Sequence, residues 1–335
     1  MMNRNEFINY AAENVRLYLP QTFESAQVSV VESIKENGRK IPALLIRRQG
    51  DILVPSILLE GAYNDYRSGK SLETCVKWIA DLRVKYDNPK CLSDLRYVKD
   101  YEAIKNKLKI KLCDLELNRD WLKDKAYTLH GDFAAVYCVT ICENEEQTFN
   151  MPIVKQLIEE WKISLRQIHE DALLSERAER AVLFEMDAYI SSIMTGDGSI
   201  RNLLDGKTEW HPEIAEAPIL CLTNNSMRNG ASMILQKDLM KRVGEIIGSD
   251  FYILPSSIHE TLLVPDIGIM DTSGLSQMVK EINENEVELC DKLSDKVQYY
   301  DRAKGVFENA ERRNQVRTPV TTNREFDMGK APVFA

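Results

Sequence analysis

Hydroxyl, imidazole and carboxylate groups crowd into one short stretch of this chain. From Asp250 to Gly268 it reads Asp-Phe-Tyr-Ile-Leu-Pro-Ser-Ser-Ile-His-Glu-Thr-Leu-Leu-Val-Pro-Asp-Ile-Gly. Ser256 or Ser257 could act as a nucleophile if His259 took its proton and Glu260, or a carboxylate from elsewhere, oriented the imidazole. That arrangement would make the chain a hydrolase. Two features weigh against it. Neighbouring residues on extended backbone point to opposite faces, which separates His259 from Glu260, and no Gly-x-Ser-x-Gly elbow exposes a serine. The competing use of the same residues is structural: a serine caps the turn after Pro255, and His259 bonds a backbone carbonyl.

A second polar group precedes it. Thr223-Asn224-Asn225 and Asn229-Gly230 would lie beside Ser257 if their strands pair. Asn224, Asn225, Asn229, Ser257, His259 and Glu260 would then rim a ligand site, although Asn and Gly are also what tight turns select. Metal chemistry has a weaker basis. The four histidines are His130, His169, His211 and His259, none in a His-Glu-x-x-His pattern, and His169-Glu170-Asp171 on a helix would face different directions. Neither glycine-rich phosphate motif occurs, and residues 195–198 and 205–207 read as turns. Tyr63, Tyr66, Trp78 and Tyr86 do not interleave with bases as a nucleic-acid stacking platform requires. No metal and no cofactor is expected.

The polar insert needs rigid supports. Apolar runs at 251–254 and 262–264, closed by Pro255 and Pro265, read as buried strands on either side of it. Upstream, residues 7–19 have helical spacing that Pro20 stops. Strands follow at 28–34, 41–46 and 52–59, with Asn37-Gly38 as a hairpin turn and Pro42 and Pro55 placed at an edge or bulge. Ser71 and Ser93 cap helices separated by Asn88-Pro89. Strands at 110–117, 133–142 and 147–151 come next; the middle one is apolar on both faces and therefore central. Helices at 153–161 and from Leu165 cover it. The spacing then predicts a helix over 177–194, strands at 218–223 and 231–235, a helix at 238–247 ended by Gly248, a helix at 275–282 and a strand at 297–300.

These elements predict an α+β fold, with antiparallel meanders each covered by helices and a smaller C-terminal α+β subdomain. The expected divisions are 1–90, 91–194, a linker at 195–217, a C-terminal subdomain at 218–310 and a flexible tail at 311–335. A chain of 335 residues that is 44% hydrophobic and 28% charged has ordinary globular composition. Its net charge of -9 disfavours nucleic acid and anionic membrane as partners. The longest unbroken apolar run, 133–139, is too short to span a bilayer, and no signal-like segment opens the chain. The expected location is the cytoplasm. Seven cysteines without a Cys-x-x-Cys pair suggest reduced thiols in the interior.

Leu222-Thr223-Asn224, Asn229-Gly230-Ala231 and Tyr252-Ile253-Leu254-Pro255-Ser256-Ser257-Ile258-His259-Glu260 resemble the C-terminal signature of an uncharacterised domain-of-unknown-function family from low-GC Gram-positive gut bacteria. The likeness extends to Leu115-Glu116-Leu117-Asn118 with Trp121-Leu122, to Trp161 with Leu165 and the Ala172 helix, to the 278–283 segment, and to Leu293-Ser294-Asp295. It covers nearly the whole chain. Members of that family more often carry Ile-Asn where this chain has Leu115 and Glu116. The resemblance implies a bacterial cytoplasmic protein of shared fold with no assigned reaction. The resulting expectation is a non-enzymatic binding or regulatory module that meets a protein or small polar ligand through its C-terminal subdomain, with the hydrolase as the alternative.

Overall fold

The β-rich runs assemble into three antiparallel sheets, each covered by helices in an α+β fold. The structure, a computed structural model, describes residues 1–51, 54–87, 95–143, 148–206, 210 and 218–317. Asn88-Pro89, Ser93, the 144–146 turn, His211 and the chain beyond 317 lie outside them.

The first sheet contains β1 (Gln27–Ile34), β2 (Lys40–Arg47) and β3 (Ser56–Leu58), in that order. Asn37 and Gly38 take positive φ values of 59° and 68° in the β1–β2 turn, which is why that pair marks a hairpin. Pro42 corrects an expectation, because it sits in the central strand and not at an edge. Its carbonyl accepts the Leu59 N–H at 2.9 Å. It has no N–H to return, and β3 pairing stops there. Helices α1 (Arg4–Asn14), α2 (Glu60–Arg67) and α3 (Leu72–Lys85, capped by Ser71) cover the sheet, burying Phe7, Leu44, Ile46 and Ile79.

The second sheet is built on one long strand. β6 (Phe133–Glu143) has β4 (Leu108–Asp114) on one side and β5 (Tyr127–His130) and then β7 (Thr148–Pro152) on the other. Phe133, Ala135, Tyr137 and Val139 enter the main core, whereas Ala134, Val136 and Cys138 meet Trp121 and Leu122 behind it. Burial on both faces explains the unbroken apolar sequence. The helix expected after Ser93 is broken: α4 (Tyr101–Ile104) restarts because the Asp100 side chain accepts the Glu102 N–H. α5 (Lys155–Trp161) and α6 (Leu165–Glu176) follow, the latter capped by Ser164.

The third sheet holds β8 (Ala181–Glu185), β9 (Leu220–Asn224), β10 (Phe251–Leu254), β11 (Thr261–Pro265), β12 (Gln298–Asp301) and β13 (Val306–Asn309). Their order is 13-12-10-11-9-8. Leu222, Phe251, Ile253 and Leu263 join Met240 and Val243 of α8 (Lys237–Ile247) in the main core. Tyr252, Leu254, Val264 and Tyr299 pack on Leu275 and Val279 of α9 (Thr272–Asn285). Two expectations fail here. Residues 177–194 are not one helix but β8 followed by α7 (Met186–Met194), since a five-residue buried strand carries no periodicity that separates it from a helix. Residues 231–235 form a 3₁₀ turn, not a strand. All of them are buried, and the Ser232 N–H and Oγ both return to the Asn229 carbonyl.

Distant loops are tied together beside the third sheet. The Asn37 N–H donates to Asn118 Oδ1 at 2.7 Å, Asn118 Nδ2 returns a bond to Asn37 Oδ1 at 3.0 Å, and Asn37 Nδ2 reaches the carbonyls of Leu289 and Lys292, each at 2.8 Å. Asp114 Oδ2 accepts Ser294 Oγ at 2.6 Å. The 288–296 loop is thereby fixed against both other sheets. Among the described residues no helix is long and apolar enough to cross a membrane.

Candidate functional site: a three-loop clasp around His259

β10 and β11 pair with each other, Leu254 opposite Leu262, so residues 255–260 connect a buried hairpin. The 291–294 segment zips onto this connection. The Ser294 N–H donates to the Pro255 carbonyl at 2.9 Å, Leu293 N–H to Ser256 O at 3.0 Å, and Ile258 N–H to Asp291 O at 2.8 Å. From the other side, Thr223 Oγ1 donates to the His259 carbonyl at 2.8 Å, and Ala231 N–H to Ile258 O at 3.2 Å. Three chain segments therefore meet at His259.

Its ring is bonded at one nitrogen and has a carboxylate near the other. The Asn229 N–H donates to Nδ1 at 3.2 Å, and Nε2 lies 3.4 Å from Asp291 Oδ1. Because Nδ1 accepts, the neutral ring carries its proton on Nε2, on the side of the Asp291 carboxylate. Ser257 Oγ accepts the backbone N–H of His259 at 2.9 Å, the local turn that serines favour. Among the described residues no serine oxygen bonds the imidazole. Ser256 is buried and contributes its carbonyl, and Glu260 is half-buried at the mouth of β11. The carboxylate facing His259 is Asp291, from a loop that carries no sequence signal.

The asparagines divide in role. Asn224 closes its own turn, donating to the Arg228 carbonyl at 2.9 Å and accepting Arg228 N–H at 3.2 Å, and it reaches Glu179 Oε2 at 2.6 Å. Asn225 donates its N–H to the Arg180 carbonyl at 2.8 Å. Asn229, at φ 53°, is the one that touches His259.

Glu288, Cys290 and Asp291 bring one ligand-type atom each within 4.8 Å of one another. The neighbouring imidazole does not complete a metal site. Coordination through Nε2 would place the ring proton on Nδ1, where the Asn229 N–H already points. Burial and the adjacent Asp291 and Glu288 also push the Cys290 thiol up, away from the thiolate a metal takes. The His130 and His169 rings meet tilted, 4.9 Å between centroids, with burial pushing His130 down to about 4.

Glu176 lies behind the clasp. Its Oε1 accepts Ile110 N–H at 2.8 Å and Ser232 Oγ at 3.1 Å, while Oε2 is buried without a partner. Burial pushes its carboxyl up to about 7 from 4.5, against those two bonds and the Lys109 charge. An acid raised on folding binds its proton more tightly in the folded state, so stability falls as pH rises from the unfolded to the folded value and stays lower above it. Glu176→Gln should remove that loss. Between pH 5 and pH 8 the variant is expected to gain about 2 kcal/mol on wild type, read as the change in urea midpoints at both pH values. An equal pH response of the two proteins would contradict the assignment.

No curated protein and no solved structure matches this chain. A family model described as a family of unknown function, DUF5688, matches residues 4–302, which takes in all three sheets through β12 and every segment of the clasp. The chain therefore belongs to the DUF5688 family.

Proposed function

We propose that the protein is a non-enzymatic, bacterial cytoplasmic binding module that receives a small polar ligand at the C-terminal clasp, residues 218–310. The observation that carries this reading is the engagement of His259 Nδ1 by the Asn229 N–H. A general base must have a free lone pair within reach of the proton it abstracts, and the Nδ1 lone pair is taken up by the Asn229 N–H. Ser257 Oγ is likewise turned to the backbone. What stays accessible is a rigid polar rim of His259, Glu260 and Asp291, with Asn225 and Met227 exposed beside it. Rigid elements under a part-exposed polar surface suit recognition, because little ordering entropy is lost on binding. The buried free thiols of Cys75, Cys113, Cys138 and Cys221 support a reducing compartment.

The test is a thermal-shift screen of small polar compounds against wild type and Asp291→Ala, with calorimetry on the hits. A compound that binds wild type and is weakened tenfold or more by the substitution is the expected result. Turnover of ester or peptide substrates that is lost in Ser257→Ala would overturn the reading in favour of the hydrolase.

A further inference from the structure

The N-terminal sheet ends in a strand with little of the usual edge protection. β1 runs eight residues beside β2 in one register, from Gln27 opposite Arg47 to Ile34 opposite Lys40. It contains no proline, lysine or arginine and no bulge, devices by which natural edges avoid pairing with other chains, and its one charge, Glu32, is drawn to Lys40 of β2 at 3.3 Å. The Lys35 N–H bonds the Arg39 carbonyl at 2.8 Å, which sets the alternation of the ladder. Residues 27, 29, 31 and 33 turn their backbone groups to β2, and Val28, Val30, Glu32 and Ile34 turn theirs outward. Among the described residues no other strand pairs with this edge. Val30 stands opposite the fully buried Leu44, so its side chain lies on the core face, yet it is 45% exposed and Ile34 is 40% exposed.

We propose that β1 pairs antiparallel with β1 of a second copy of this chain, across a two-fold axis at Val31, joining the two three-stranded sheets into one. The outward amides and carbonyls of two such strands meet only when the axis passes through a residue. With the axis at Val31, Val28 faces the partner's Ile34, and Val30 faces the partner's Glu32. All four outward residues of each strand then bond, and Lys35 falls opposite the partner's Gln27. The one carboxylate within the strand meets a valine, not its own copy. Moving the axis to Val30 puts Ile34 opposite the partner's Ala26, outside the strand, so that only three of the four outward residues bond. The sequence is thus complementary to itself in one register, and the half-exposed Val30 and Ile34 gain cover in it.

Sedimentation equilibrium of the full chain is expected to show a dimer. Val30→Pro removes an outward N–H and leaves the β1–β2 bonds in place, so it should weaken the dimer at least tenfold while circular dichroism stays that of wild type. Val31→Cys places two thiols on a close, non-hydrogen-bonded pair about 4.5 Å apart at Cα, and mild oxidation should cross-link it where wild type and Val30→Cys do not. A chain that stays monomeric at its highest soluble concentration overturns the proposal. So does a dimer that V30P leaves intact and V31C fails to link, or a monomer that captures an unrelated extended peptide at β1. If V30P unfolds, the V31C cross-link decides.

Discussion

Arg83→Ala is expected to lower the unfolding free energy by about 3–5 kcal/mol, the cost of breaking a buried ion network by deleting one partner. Arg83 is 1% exposed, the largest side chain so deeply buried among the described residues. Its Nε donates to the Ile46 carbonyl at 2.8 Å, Nη1 to Asp87 Oδ1 at 2.6 Å and Nη2 to Asp51 Oδ2 at 3.0 Å. Arg48 shares both carboxylates, and the two guanidiniums lie over the Phe23 ring at 4.4 and 4.7 Å. Alanine would leave two partly buried carboxylates facing one cation and open a void beneath β2. A methionine there fills the space but still orphans the Ile46 carbonyl, so Arg83→Met should recover only part of the loss. Urea midpoints of the three proteins decide it. A loss under about 1 kcal/mol for alanine would mean that the network has the small value of a surface ion pair.

Arg83 also shows what local sequence conveys. Its place on α3 is legible from the Ser71 cap and the apolar spacing of Cys75, Val76 and Ile79, yet nothing local says that its guanidinium is buried. The same split runs through the clasp. The 255–260 insert is readable because two prolines and two apolar runs bound it, and those runs are unbroken because the six-stranded sheet is covered on both faces. β8 is hidden by the same property: a five-residue apolar strand joined directly to α7 imitates a helix. Asp291, Asn118 and Glu176 gain their roles from partners far along the chain. No spacing rule reaches from Asn37 to Asn118 or from Ser232 to Glu176. The serine and asparagine residues were legible as turn formers, and that is mainly what Ser257 and Asn224 do.

Gly230→Ala is the sharpest probe of the clasp, with an expected loss of about 3 kcal/mol, the upper end of the ordinary overpacking range. A Cβ at this position would lie 2.6 Å from the His259 carbonyl and 2.8 Å from Asn224 N, with Thr223 Oγ1 closer still. Two of these three neighbours are backbone, in β9 and in the hairpin connection, and cannot swing aside as a flexible side chain would. The nearest relief is for residues 229–231 to retreat from His259, which breaks the Asn229 N–H bond to Nδ1. The imidazole would then be free to carry its proton on either nitrogen. Nitrogen NMR of the His259 ring should therefore show the Nε2–H form in wild type and a mixture in the variant. Gly244→Ala is the control, since its Cβ would meet only the Arg302 side chain, at 3.2 Å, and alanine favours a helix interior by about 1 kcal/mol. That substitution should be neutral or stabilising and leave the histidine signal unchanged. If G230A instead matched wild type in both stability and tautomer, the three segments would be loose enough to shift together, and the rigid rim that ligand recognition requires would be gone.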